Sequence, residues 1–114
     1  MSRKTHTFSY EEALDTLPAV RSLTHHAVRQ IEALVNQIQS PEELDERREE
    51  LEEAYNRIAE NWAAKVRSLG CEVKGLWLVD WDNGDGYYCW RYPEETIAYC
   101  HGYEDGYSGR MPIN

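Results

Sequence analysis

The stretch Gln39-Ser40-Pro41-Glu42-Glu43 decides the fold. Ser40 is a helix cap, Pro41 suits a first helical position because it lacks the N–H that position leaves unbonded, and Glu43 completes a capping box with Ser40. Before it runs an apolar stripe in which Leu17, Thr24, Ile31 and Ile38 repeat every seven residues, with Ala27/Val28 and Leu34/Val35 between. That is helical spacing, and it ends at about Gln39, where the next helix begins. Two helices with almost no connection fold back on each other, so the spacing predicts a long antiparallel helical hairpin.

Working outward, Ser9-Tyr10-Glu11-Glu12 reads as a capping box that opens the first helix, with Phe8 placed as a hydrophobic staple. Pro18 predicts a kink or short break. The second helix carries Leu44, Leu51, Tyr55, Ile58, Trp62, Val66 and Leu69 on one face, and Gly70 is its natural end. After Gly70 the apolar period changes to two. Val73 to Trp81 suits a strand, Asp82-Asn83-Gly84-Asp85-Gly86 is turn chemistry, and Tyr87 to Tyr92 and Thr96 to His101 read as two further strands. The expectation is a single α+β domain over residues 1–114. A coiled-coil-like hairpin fills 9–70, and a small antiparallel sheet of about three strands with an irregular tail fills 71–114.

The 114 residues carry a net charge of −9. Residues 1–40 balance four acids with four bases; 41–71 hold nine acids against five bases, and 72–114 eight against three. No segment clusters the Lys and Arg that neutralising phosphates requires, so neither nucleic acid nor an anionic membrane is an expected partner. Mean hydropathy is −0.75, and the start, Met1-Ser2-Arg3-Lys4-Thr5-His6, has no apolar leader, so the expected location is the cytoplasm. Cys71, Cys89 and Cys100 are an odd number and are expected reduced. A small sheet cannot cover both helical stripes, so self-association as a homodimer through the hairpin is expected.

Five separated elements in the second half carry a family likeness: Gly70-Cys71-Glu72-Val73-Lys74, Leu78-Val79-Asp80, Cys89-Trp90-Arg91, His101, and Gly106-Tyr107-Ser108-Gly109-Arg110. With the Phe8 to Leu17 opening and the Glu-rich helices, the chain resembles domain-of-unknown-function family 2203 over nearly its whole length. The resemblance implies no particular activity. The chain departs from the family's pattern at Tyr92-Pro93, where a glycine is usual, and at Cys100, where an aromatic often precedes the histidine.

Chemistry concentrates in the same half. Arg91 and Arg110 suit an anion clamp, because a guanidinium matches the fork of a carboxylate or phosphate. The alternative is that they pair with Glu94, Glu95 or Asp105 and tie the tail to the sheet. A ligand site built from Arg91, Arg110, His101, Tyr107 and Trp90 is the expectation, serving a small anion or a protein partner in a non-enzymatic module. With a loop at Tyr92 to Glu95, Arg91 faces Thr96 and Cys89 faces Ala98. That register puts Arg91, Cys89 and Cys100 on one face, and Tyr88, Trp90, Ile97, Tyr99 and His101 on the other. Cys89, His101 and Cys71, with Cys100, are the candidate donors for a metal- or thiol-dependent enzyme or sensor. No C-x-x-C or H-x-x-x-H pair supports them, so no metal and no cofactor is expected, and Cys89 reads first as a buried small hydrophobe. The adjacent His25 and His26 read as solvated surface. Asp80, Asp82, Asn83 and Asp85 fail the calcium-loop template, which wants glycine where Asp85 stands.

Overall fold

The computed structural model describes residues 6–113. Met1 to Thr5, where no apolar leader is read, and Asn114, the end of the tail, lie outside the described residues. Helix α1 spans Tyr10–Asn36, α2 Pro41–Glu46 and α3 Arg48–Arg67, and five strands follow: β1 Glu72–Gly75, β2 Leu78–Asp82, β3 Tyr87–Arg91, β4 Tyr99–His101 and β5 Met111–Pro112. They form one antiparallel sheet in sequence order. The protein is α+β, and no helix among the described residues is long and apolar enough to cross a membrane.

Local chemistry explains the helix starts. Ser9 accepts the Glu12 N–H at 3.1 Å while Glu12 accepts the Ser9 N–H at 2.8 Å. At the second start Ser40 caps the Glu43 N–H at 3.0 Å, but the Glu43 carboxylate reaches one residue further back, to the Gln39 N–H at 2.9 Å. Helix α1 continues unbroken through Pro18. The expected single second helix is instead divided at Arg47, whose φ of −103° and ψ of 12° leave the helical region. Arg47 bonds both Glu43 and Glu50 across that step.

The sheet has five strands where about three are expected. Val73 to Trp81 is two strands, because the chain turns at Leu76-Trp77 with Trp77 at a φ of 62°. The tail supplies β5, and the strand expected from Thr96 begins only at Tyr99.

Val79, Trp81 and Trp90 of the sheet pack into one apolar core with Leu17, Val20, Trp62 and Val66 of the helices. Two indoles tie this core to α1. Trp81 Nε1 donates to Thr16 Oγ1 and Trp62 Nε1 to Thr24 Oγ1, both at 2.8 Å. Each threonine passes its own proton to a carbonyl of the preceding turn, Ala13 or Val20. The buried indole N–H groups are thereby satisfied by side chains of the helix they pack on.

Replacing Thr24 by Val keeps its volume but strands the Trp62 N–H in the core. The expected loss is about 1–3 kcal/mol, read as a drop of several degrees in the circular-dichroism melting temperature, while Thr24→Ser stays near the parent. Equal melting of Thr24→Val and parent would show that this bond adds nothing.

Candidate functional site

Strand alternation gives the sheet two faces. The pairing Asp80↔Cys89↔Tyr99 and Tyr87↔His101 places Asp80, Cys89 and His101 on the face turned away from the helices. This register differs by one residue from the expected one. The chain after Arg91 does not make a tight hairpin: Glu94 N–H bonds the Arg91 carbonyl, the Glu94 carboxylate accepts the Arg91 N–H, and the Trp90 indole donates to the Glu94 carbonyl. Residues 92–98 are consumed in this irregular passage, and pairing resumes at Tyr99. The slip moves His101 to the face of Cys89 and sends Cys100 to the opposite one, where it pairs with Tyr88.

The outer face is not open to water. The tail from Gly102 to Arg110 crosses it, and Asp80, Cys89 and His101 are all buried. His101 Nε2 lies 2.9 Å from Asp80 Oδ2, and His101 Nδ1 lies 2.9 Å from the Gly102 carbonyl oxygen. A carbonyl only accepts, so Nδ1 carries a proton and directs the Nε2 edge at Asp80. The Cys89 sulfur completes the group: one ligand atom from each of the three residues lies within 4.8 Å of the others. The second carboxylate oxygen, Asp80 Oδ1, is buried without a hydrogen-bond partner among the described residues. Gly86 holds the strands close here, since a Cβ on it would sit 2.5 Å from the His101 carbonyl oxygen.

Burial sets the protonation states. It pushes the Asp80 carboxyl above its usual 3.8, against the pull of Cys89, His101 and Lys74. It also pushes the Cys89 thiol well up, and the neighbouring Asp80 charge adds to that. Cys71, buried among apolar residues in the helix-side core, is pushed up to about 12 by burial alone. None of these thiols resembles an activated nucleophile. Both His101 nitrogens are engaged by groups other than Cys89, Nδ1 by the Gly102 carbonyl and Nε2 by the Asp80 carboxyl, so the Cys89–His101 nucleophile and base arrangement has no base in position.

The expected ligand residues divide. His101 belongs to the buried group. Arg110 is almost fully buried, and one of its terminal nitrogens contacts both Glu94 oxygens, at 2.9 and 2.7 Å. Its guanidinium also lies over Tyr99 at 3.9 Å and Tyr107 at 4.6 Å. Arg91 is exposed, 5.8 Å from the Tyr107 ring centroid, and Trp90 is in the core on the other face. The arginine therefore ties the tail to the β3–β4 connection, as the pairing alternative had it. A recess of about 390 Å³ opens beside the buried group, between β1 and the tail, walled by Lys74, Asp80, Tyr87, His101, Tyr103 and Tyr107. Asp80 is the member that spacing did not supply. Its signal was a lone acid inside the apolar run Leu78-Val79-Asp80-Trp81, because a buried carboxylate is rare unless it has a partner or a task.

A helical layer on one face of an antiparallel sheet, with a carboxylate, a thiol and an imidazole gathered under a tail on the other face, defines a small α+β protein with a donor-rich centre. The chain belongs to the family described as uncharacterized conserved protein (DUF2203), which matches residues 6–113. No curated protein and no solved structure matches the chain.

The raised Asp80 value makes its charge a burden on the fold. The folded state holds the Asp80 proton more tightly than the unfolded chain does. The stability this gives is complete below 3.8 and lost as pH rises through the raised value. Asp80→Asn, whose amide donates to His101 Nε2, removes that dependence. The variant is expected to melt above the parent at neutral pH, with the gap closing toward pH 4. A variant that melts below the parent at pH 7 would mean the Asp80 charge stabilises the fold.

Proposed function

We propose that this protein binds a transition-metal ion of the zinc, cobalt or ferrous type through Asp80, Cys89 and His101. The observation that carries the proposal is the convergence of three chemically suited donors, borne on three adjacent strands and buried, within 4.8 Å. Thiolate, imidazole and carboxylate are the donor set of such ions, with bonds of about 2.0–2.3 Å. Three protein ligands leave one position free, the pattern of a working rather than a purely structural site. The His101 Nδ1–H to Gly102 carbonyl bond supplies the outer support that metal-ligating histidines have, fixing the tautomer whose Nε2 binds. The unpartnered Asp80 Oδ1 is a further acceptor in want of a cation. Seating an ion opens the 2.9 Å Asp80–His101 contact and replaces its proton with the metal.

The recess walled by Asp80 and His101 gives the fourth position access to solutes, so the role is ligand binding or sensing centred on the ion, with catalysis at the free position as the second reading. A reducing compartment such as the cytoplasm suits a site that needs a free Cys89. The helices serve as an antiparallel hairpin that carries the sheet. A small-anion clamp on Arg91 and Arg110 is the weaker reading, because Glu94 already neutralises Arg110.

Untagged protein titrated with Co(II) is expected to bind one ion and to develop a thiolate-to-cobalt charge-transfer band. Cys89→Ser loses the band, and Asp80→Asn and His101→Gln weaken binding about 10–100-fold or more. Each ion displaces the Cys89 proton and the one held between Asp80 and His101. Affinity therefore rises with pH, by up to about tenfold per unit for each proton released. No band in the parent, or a band that survives Cys89→Ser, rejects the site.

A further inference from the structure

The far end of the helices carries a second feature, independent of the sheet. Every buried residue of α1 lies between Ala13 and Ala27, and every buried residue of α3 between Trp62 and Val66. From residue 28 to residue 61 nothing is buried, although Ile31, Leu34, Val35, Ile38, Leu44, Leu51 and Tyr55 continue the apolar stripes. These side chains line a groove of about 550 Å³. Val35 is 62% exposed, Leu44 41% and Tyr55 37%. Exposure of that many apolar side chains in one groove marks an interaction surface.

The rim identifies the occupant. Along α3 the groove is edged by Arg48 and Glu52, one turn apart and of opposite charge; Arg48 also meets Asp45 of its own chain at 2.8 Å, an exposed contact that leaves the other guanidinium nitrogens available. An interface about a two-fold axis must be complementary to itself, since the same patch supplies both sides. An axis near residue 50, the middle of the run from Leu44 to Tyr55, sets Arg48 of one copy opposite Glu52 of the other, and the pair forms twice.

We propose that the groove between the distal halves of α1 and α3 is where a second copy of this chain docks, closing a four-helix arrangement whose core is Leu34, Val35, Ile38, Leu44, Leu51 and Tyr55. Helix pairs with exposed stripes commonly complete their cores this way. The metal centre lies on the sheet, away from this surface, so the two proposals stand or fall separately.

Sedimentation velocity on the whole chain, from low to high micromolar concentration, tests it. The parent is expected to sediment as a dimer. Val35→Glu, at a position too exposed to affect folding, sediments as a monomer with an unchanged circular-dichroism spectrum. Arg48→Glu raises the dissociation constant about tenfold, because the repulsive contact forms twice, and adding Glu52→Arg restores it. A parent that is monomeric at high micromolar concentration overturns the proposal. So does a dimer indifferent to Val35→Glu, which places the interface elsewhere, or a double charge variant no tighter than Arg48→Glu alone, which removes the two-fold pairing.

Discussion

A carboxylate at the middle of a buried strand is the constraint around which the sheet is arranged. Asp80 sits on β2, between β1 and β3, with its side chain almost entirely removed from water. Charge in that position costs several kcal/mol unless something answers it. His101 meets one oxygen directly, while the other has no hydrogen-bond partner of good geometry among the described residues and feels only the nearby Cys89 thiol and the Lys74 charge. A hydrophobic residue of similar volume would serve packing better, as such replacements usually do. An under-satisfied acid beside a thiol and an imidazole costs the fold stability, and that cost is what the proposed ion would relieve.

The rest of the domain holds that face in place from behind. The indoles of Trp81 and Trp62 end on Thr16 and Thr24, two positions on one side of α1. Phe8 closes the corner by donating its N–H to the Asp82 carbonyl at 2.7 Å and packing against Gly70. The Tyr10 hydroxyl reaches the Ile97 carbonyl, pinning the irregular passage between β3 and β4. That passage determines the register, and the register decides whether His101 or Cys100 faces Asp80. From the front, Arg110 joins Glu94 and lies over Tyr99 and Tyr107, so the tail is a fixed cover. Tyr103 adds a bond to Asp82 at 2.7 Å.

Much of this architecture was legible in the residues, and the illegible part has physical causes. The caps at Ser9 and Ser40 are local hydrogen-bonding patterns within four residues; the capping box at Ser9 forms as expected, while at Ser40 the serine caps and the Glu43 carboxylate takes the Gln39 N–H instead of closing the box. The Asp82 to Gly86 turn is equally local. Trp77 could not be anticipated as a turn, because a bulky residue at positive φ is held there by its edge contact with Trp62, 4.8 Å away and distant in sequence. The β3–β4 register depended on where a seven-residue passage ends, and a slip of one residue exchanges every side chain between faces. That single error separated His101 from Cys89. Asp80 went unrecognised for another reason: its own neighbours formed a tempting but wrong oxygen-ligand loop, and the donors that give it meaning come from other strands.

The protonation chemistry of the centre is the reason the function proposed for it is ion binding rather than acid or base catalysis. Burial holds Asp80 and Cys89 toward their neutral forms, and the Gly102 carbonyl commits His101 to one tautomer. A nucleophile or a general base has to lose its proton into such an environment unaided, and desolvation opposes that. A divalent cation reverses the balance, since its charge is the largest in the site and favours every deprotonated donor at once. The donor set also selects among cations. Calcium and magnesium want a shell of oxygens, and only one carboxylate is offered, whereas thiolate and imidazole favour the softer ions. Asp80 and Cys89 are held by pairing on both sides and His101 by its pairing with Tyr87, so the proposed site has little freedom to adapt its geometry to an ion of other preference.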